Sequence, residues 1–190
     1  MTNSRRIAFL DRDGVINQYL PGEYVRIPDE LILLPGVLDA IKALNDAGWL
    51  VALVTNQQGI GKGLMSHSDL DTVHAKLFAA LDAIGGRIDA IRICPHLAAD
   101  ACACRKPKPG MILDITAELG GDLASSVFFG DTDSDSGAAR AAEVGAFHLI
   151  LGGKRTAEHA QDTKYFPIPP DGIHPDLLTA VTDVLNAKER

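Results

Sequence analysis

The 190-residue chain has no long hydrophobic run. Its first apolar stretch, Ile7 to Leu10, is far shorter than the ~20 residues of a membrane span and shorter than a signal-peptide core. The residues before it, Met1 to Arg6, are mostly polar and basic. A cytoplasmic protein with no membrane partner is therefore expected. Positive charge is also scarce: 18 Lys and Arg stand against 25 Asp and Glu, a formal net charge of −7. That balance speaks against a general affinity for nucleic acid, so an anionic substrate would need local positive charge or a metal. Cysteine is limited to Cys94, Cys102 and Cys104 in one short stretch. An odd count with no export signal argues against a disulfide framework.

Apolar residues make up 46% of the chain and charged residues 23%, as in an ordinary globular protein. The length suits one α/β domain over residues 1–190. No repeat, linker or low-complexity segment interrupts it. Ile7–Leu10 reads as a buried strand that ends on Asp11-Arg12-Asp13-Gly14. Val37, Leu38, Ile41 and Leu44 have helical spacing, with Gly48 placed to end the helix. Trp49–Val54 is the next strand, and Ser66 caps a helix carrying Leu70, Val73, Leu77, Leu81 and Ile84.

Ile88–Ile93 gives a third strand; Met111, Ile112, Ile115 and Leu119 mark a helix; Val127–Phe129 is a short strand. A small-residue helix over Ser136–Glu143, a strand over Phe147–Leu151 and a helix through Leu177, Leu178, Val181 and Leu185 complete the pattern. Such alternation predicts a Rossmann-like parallel sheet with helices on both faces. Its functional crevice would lie at the carboxyl ends of the strands, where Asp11, Asp13, Thr55 and Asp131 all fall.

Asp11 and Asp13 are two apart, so on a continuing strand both carboxylates point the same way. Close carboxylates repel, and a site that holds them needs a cation or a shared proton. Asp131, after another strand, could complete an oxygen-rich site for Mg²⁺. One carboxylate could then attack phosphorus while the other serves as acid and base. An Asp-x-Asp pair after a strand is often only turn chemistry. The ordered set carries more weight: Asp11-Arg12-Asp13-Gly14-Val15-Ile16, Val54-Thr55-Asn56, Lys106-Pro107, then Gly130-Asp131 with Asp135.

Other signals are weaker. Asp131-Thr132-Asp133-Ser134-Asp135 starts like a calcium loop, but Ser136 and Ala142 stand where a glycine and a ligand belong. Gly59-Ile60-Gly61-Lys62-Gly63 lacks the spacing of a phosphate loop and reads as a flexible loop in which Lys62 adds charge. His67 and His74 lie on a helix with no partner at ligand spacing, His148 in a strand reads as a core or edge histidine, and Trp49, Phe128 and Phe129 read as core. The tail beyond Lys154 shows no recognisable chemistry.

Cys94-Pro95-His96 and Cys102-Ala103-Cys104 place three thiols and an imidazole within a few residues, a set that suits structural, tetrahedral Zn²⁺. Because Arg105 and Lys106 follow directly, a metal in the 94–104 loop would steady the loop that carries the lysine.

The ordered set resembles the motifs of the haloacid dehalogenase superfamily of phosphatases, over roughly residues 5–151. The resemblance implies that Asp11 is a nucleophile and Asp13 the general acid/base. Thr55 and Lys106 would hold phosphoryl oxygens, and Mg²⁺ would sit at Asp11, Asp13 and Asp131 with Asp135 in support. No insertion is large enough for a cap domain, so a capless type is expected. Together with the zinc loop, Cys104-Arg105-Lys106-Pro107-Lys108-Pro109-Gly110-Met111 and Thr55-Asn56-Gln57-Gln58-Gly59-Ile60 resemble the D-glycero-D-manno-heptose 1,7-bisphosphate 7-phosphatase family. That implies a small sugar phosphate as substrate, a place in ADP-heptose and lipopolysaccharide-core synthesis, and substrate contacts from Arg12, Tyr24, Asn56, Gln57 and Arg105. A monomer is the expectation for so small a capless type. The chain departs from the family at Pro21-Gly22-Glu23-Tyr24, where an Asp-His-Gly-Tyr stretch is common, and at Thr132, where some members have a basic residue. Both departures bear on the preferred anomer. Histidinol-phosphate phosphatases of the same zinc-bearing group share most motifs, and a zinc-stabilised binding module without catalysis is the alternative from another class. A nucleic-acid 3′-phosphatase shares the catalytic pattern, but the acidic balance speaks against it.

Overall fold

A computed structural model describes residues 5–187. The two ends of the expected 1–190 domain, with most of the polar start at Met1–Arg6, lie outside the described residues. Six parallel strands form one sheet: β1 (Ile7–Leu10), β2 (Leu50–Asn56), β3 (Ala90–Cys94), β4 (Val127–Gly130), β5 (Ala146–Ile150) and β6 (Gly172–His174), in the order β3-β2-β1-β4-β5-β6. Helices α1 (Val37–Asp46), α2 (His67–Asp82), α3 (Gly110–Leu119), α4 (Asp133–Ala141) and α5 (Leu177–Ala187) cover it.

Side-chain alternation divides the core in two. On β1, Ala8 and Leu10 join Ile41, Leu44, Val73, Leu77 and Val181 on one face of the sheet. Ile7 and Phe9 join Met111, Ile112, Ile115, Ala138 and Phe147 on the other. A central parallel strand is buried on both faces, which is why β1 reads as an unbroken apolar run. Phe9 and Phe128 stack across β1 and β4 with ring centroids 6.2 Å apart.

Local chemistry explains the boundaries. Ser66 caps α2 by accepting the Asp69 N–H, and the Asp69 carboxylate accepts the Ser66 N–H in return. Gly48 closes the turn after α1 at φ +75°. β2 runs two residues further than the apolar pattern suggests, because Thr55 and Asn56 still pair with Ile93 and Cys94. Helix α4 begins at Asp133 rather than Ser136, since Thr132 and Asp135 make a second reciprocal cap. Strand β6 has no counterpart in the sequence pattern: Gly-Ile-His is too short to show a period. Trp49, Phe128 and Phe129 are core, as expected.

The strand order reverses direction between β1 and β4, and their carboxyl ends open the crevice that follows such a reversal. No helix among the described residues is long and apolar enough to cross a membrane.

Candidate active site

Asp11 leaves the end of β1, and its N–H still bonds to the Phe129 carbonyl of β4. The chain then wraps tightly around the Arg12 carbonyl, which accepts from the N–H groups of Val15, Ile16 and Asn17. Gly14 makes that turn possible at φ +93°; a Cβ there would sit 2.6 Å from Asp131 Oδ2.

Three carboxylates converge at the floor: ligand oxygens of Asp11, Asp131 and Asp135 all lie within 4.8 Å of one another. Burial, joined by the charges of Asp11 and Asp135, pushes Asp131 up to about 8. Asp131 Oδ1 is buried with no hydrogen-bond partner. Burial likewise lifts Asp11 to about 6, with Asp135 and Asp13 adding repulsion and Lys106 opposing it. Oxygen-only, buried and short of protons or cations, this floor fits a hard divalent ion.

Lys106 is the buried counter-charge. Its Nζ lies 2.7 Å from Asp11 Oδ1, 2.6 Å from Asp135 Oδ1 and 2.8 Å from the Val54 carbonyl, so all three donors are engaged. Burial opposes its charge, but Asp11 and Asp135 outweigh that and hold it protonated. Asn56 fixes the backbone that presents it: Oδ1 accepts the Lys106 N–H and Nδ2 donates to the Lys106 carbonyl, both at 3.1 Å. Thr55 is buried beside it, and its Oγ1 accepts from Gln57 Nε2 at 3.0 Å. The hydroxyl proton of Thr55 is thereby left to donate elsewhere.

Asp13 stands apart from the three converging carboxylates. Its oxygens accept from Arg12 at 2.9 and 3.0 Å, from Asn17 at 3.0 Å and from Gln57 at 3.0 Å. Burial alone would raise its pKa, but the Arg12 guanidinium and these donors hold it below the usual carboxylate range.

Above the floor is a cavity of about 320 Å³ bordered by Asp11, Asp13, Thr55, Lys106, Tyr24 and Arg105, among others. Two expected substrate contacts do not border it. Arg12 is buried beneath Asp13, because the residue between two site-facing aspartates turns to the other side of the chain. Gln57 is also buried, bridging Asp13 and Thr55. Asp13, expected with Asp11 and Asp131 at Mg²⁺, has its carboxylate bonded to Arg12, while that of Asp135, expected in support, lies beside Asp11 and Asp131.

Sequence reading missed Lys154, which borders the cavity and whose N–H donates to Asp131 Oδ2 at 2.9 Å. Tyr19 also borders the cavity, beneath the Lys154 ammonium at 4.7 Å. The one available signal was position: Lys154 follows Gly152-Gly153, just past a strand end. Just beyond, Arg155 pairs with Asp133 at 2.6 Å, which draws that acid of the Asp-x-Asp-x-Asp run away from the floor.

Behind the cavity, Cys94, His96, Cys102 and Cys104 form the second convergent group. Cys104 Sγ lies 3.3 Å from Cys94 Sγ, 3.4 Å from Cys102 Sγ and 3.3 Å from His96 Nδ1; Cys94 Sγ lies 3.7 Å from both Cys102 Sγ and His96 Nδ1. Thiolates on a tetrahedral Zn²⁺ with bonds of ~2.3 Å would be about 3.8 Å apart, close to these separations. Burial, with the Cys104 hydrogen bond, pushes Cys94 up to about 12, so ionising all three thiols here calls for a cation. Arg105 ties this loop to the cavity, donating to the His96 carbonyl at 3.1 Å and to Gln58 Oε1 at 3.4 Å.

This geometry agrees with the comparisons. Residues 5–143 match the family model described as haloacid dehalogenase-like hydrolase. The chain belongs to that family. It is 44% identical over 182 residues to the D-glycero-beta-D-manno-heptose-1,7-bisphosphate 7-phosphatase of Pseudomonas aeruginosa, covering 96% of this chain and 98% of that protein. The enzyme of the same name from Bordetella bronchiseptica is 47% identical over 150 residues, covering 79% and 83%. Among solved structures, a D,D-heptose 1,7-bisphosphate phosphatase from B. bronchiseptica, complexed with magnesium and phosphate, superposes with a TM-score of 0.86 at 39% identity, covering 96% of this chain and 99% of that one.

Proposed function

We propose that this hydrolase removes the 7-phosphate of D-glycero-D-manno-heptose 1,7-bisphosphate, with the β anomer preferred. The observation that carries the chemistry is the buried Asp11–Lys106–Asp135 chain at the foot of the cavity, with Asp131 alongside. The substrate reading rests on two relatives named for this reaction, one of which matches nearly end to end. The B. bronchiseptica structure, complexed with magnesium and phosphate, supports the same chemistry. A role in supplying heptose for lipopolysaccharide follows from the substrate.

Asp11, Asp131 and Asp135 would hold Mg²⁺, which when bound offsets charge on the nucleophile and on the phosphate. The Asp11 carboxylate attacks phosphorus, and the bond to the sugar oxygen breaks as the aspartyl-phosphate forms. The Thr55 hydroxyl and the Lys106 charge stabilise the phosphoryl oxygens. Asp13 enters the first step protonated and gives that proton to the leaving alkoxide; the carboxylate so formed takes one from the water that attacks the aspartyl-phosphate, which restores the starting state. Arg12, Asn17 and Gln57 set it for the second task, because all three favour its charged form. The four-residue Cys/His group would hold Zn²⁺, which when bound would steady the loop of Arg105 and Lys106. The chain works as a cytoplasmic monomer.

The test is phosphate release from the α and β heptose bisphosphates and from histidinol phosphate, each with and without Mg²⁺. Mg²⁺-dependent turnover of the heptose bisphosphates, fastest with β, is expected. Preference for histidinol phosphate would overturn the assignment.

A further inference from the structure

A sugar bisphosphate carries a second phosphate that is not cleaved, and the chain as a whole is acidic. The cations bordering the cavity are Lys62, Arg105, Lys106 and Lys154. Lys106 has no donor to spare, since its three are taken by Asp11, Asp135 and the Val54 carbonyl. Arg105 gives one bond to the His96 carbonyl and a longer one to Gln58 Oε1 and keeps further N–H groups, and Lys62 rests over the Tyr24 ring 5.4 Å from its centroid. Lys62 and Arg105 come from the segments after β2 and β3, on one side of β1. Lys154 comes from the segment after β5, on the other side and beyond Asp131 and Asp135, which follow β4.

The position of Lys154 is closely set. Its N–H donates to Asp131 Oδ2, and a Cβ on the preceding Gly153 would sit 1.8 Å from that same oxygen. No residue but glycine lets the chain pass so near the carboxylate. The Lys154 backbone is thus anchored to the reaction centre, while its ammonium lies a side chain's length away. The ammonium rests over the Tyr19 ring, 4.7 Å from the centroid, and makes no salt bridge among the described residues. A cation braced on an aromatic face has fewer rotamers to lose when it takes a ligand. Its charge remains available to an anion.

We propose that Lys154, braced by Tyr19, binds the phosphate that is not cleaved and so makes the site selective for a bisphosphate over a monophosphate. This rests on the bisphosphate reading above. Lys154 is a specificity residue in this scheme: it touches substrate but not the transferred phosphoryl group.

The experiment compares wild type, Lys154→Ala and Lys154→Arg on heptose 1,7-bisphosphate and heptose 7-phosphate at saturating Mg²⁺. A lost charge-assisted hydrogen bond should raise KM for the bisphosphate at least about tenfold in Lys154→Ala. KM for the monophosphate and both kcat values should hold, and Lys154→Arg should restore most of the loss. Tyr19→Leu, which keeps the ammonium but removes its brace, should raise only the bisphosphate KM, and by less. Equal losses on both substrates would place Lys154 with the transferred phosphate or with Asp131 and overturn the inference; so would unchanged selectivity. If wild type hydrolyses neither heptose phosphate, the substrate assignment itself falls. If wild type prefers the bisphosphate and Lys154→Ala keeps that preference, only the role of Lys154 falls.

Discussion

Asp11 and Asp13 are two residues apart, yet their surroundings push them in opposite directions. Burial lifts Asp11 to about 6, while Arg12, Asn17 and Gln57 outweigh burial at Asp13 and keep it low. A nucleophile must be ionised, so at low Mg²⁺ kcat/KM should rise with pH as Asp11 loses its proton near 6. Added Mg²⁺ favours the anion and should move that acid limb to lower pH; a limb that ignores Mg²⁺ across a titration would show that Asp11 does not face the metal. Asp13→Asn should cost about 10²–10⁴ in kcat, the usual range for a lost acid/base, with the fold intact by circular dichroism. The types of these residues were legible because they recur in order after successive strands. Their partners were not: Arg12 looks like a substrate contact until the turn around its own carbonyl carries it beneath Asp13.

Elements place the remaining chemistry. Lys106 depends on a loop with little secondary structure, held at one end by Asn56 and at the other by the Cys/His group. Cys104→Ser should lower bound zinc, measured by atomic absorption, and lower kcat as Lys106 loses its fixed approach to Asp11. Full activity in a zinc-free Cys104→Ser protein with Mg²⁺ present would separate the loop from catalysis. The convergence of the Cys/His group was readable from spacing alone, since its four residues lie close in sequence. Helix α4 was harder, because Asp-Thr-Asp-Ser-Asp resembles a loop until Thr132 is seen to cap it. That cap brings Asp135 to the floor, nearer than its sequence position suggested. Strand β6 and the placement of Lys154 depend on pairing with β5 and on a close approach to Asp131, and neither leaves a periodic trace.

At the scale of the molecule, a sheet built for stability carries a floor that opposes it. Asp131 has a folded-state pKa of about 8 against an ordinary value of 3.8. The folded form therefore holds a proton that the unfolded chain releases, and stability falls as pH rises across that window. A divalent cation replaces the proton at the upper end. Mg²⁺ should thus raise Tm more at pH 8 than at pH 5, read by thermal unfolding with zinc kept constant. Asp131→Asn should raise Tm by several degrees in Mg²⁺-free buffer and remove the response to Mg²⁺. An unchanged Tm difference between the two pH values would argue against a shared cation at Asp11, Asp131 and Asp135. The fold that creates this floor was largely legible, because strands buried on both faces read as short apolar runs separated by amphipathic helices.

The central claim is covalent catalysis at Asp11, and rapid acid quenching during Mg²⁺-dependent turnover of heptose 1,7-bisphosphate tests it most directly. Mass spectrometry of the peptide containing Asp11 should show one added phosphoryl group, located on Asp11 and absent from Asp11→Asn. Continued turnover by Asp11→Asn, or a phosphoryl group found on another residue, would contradict the account.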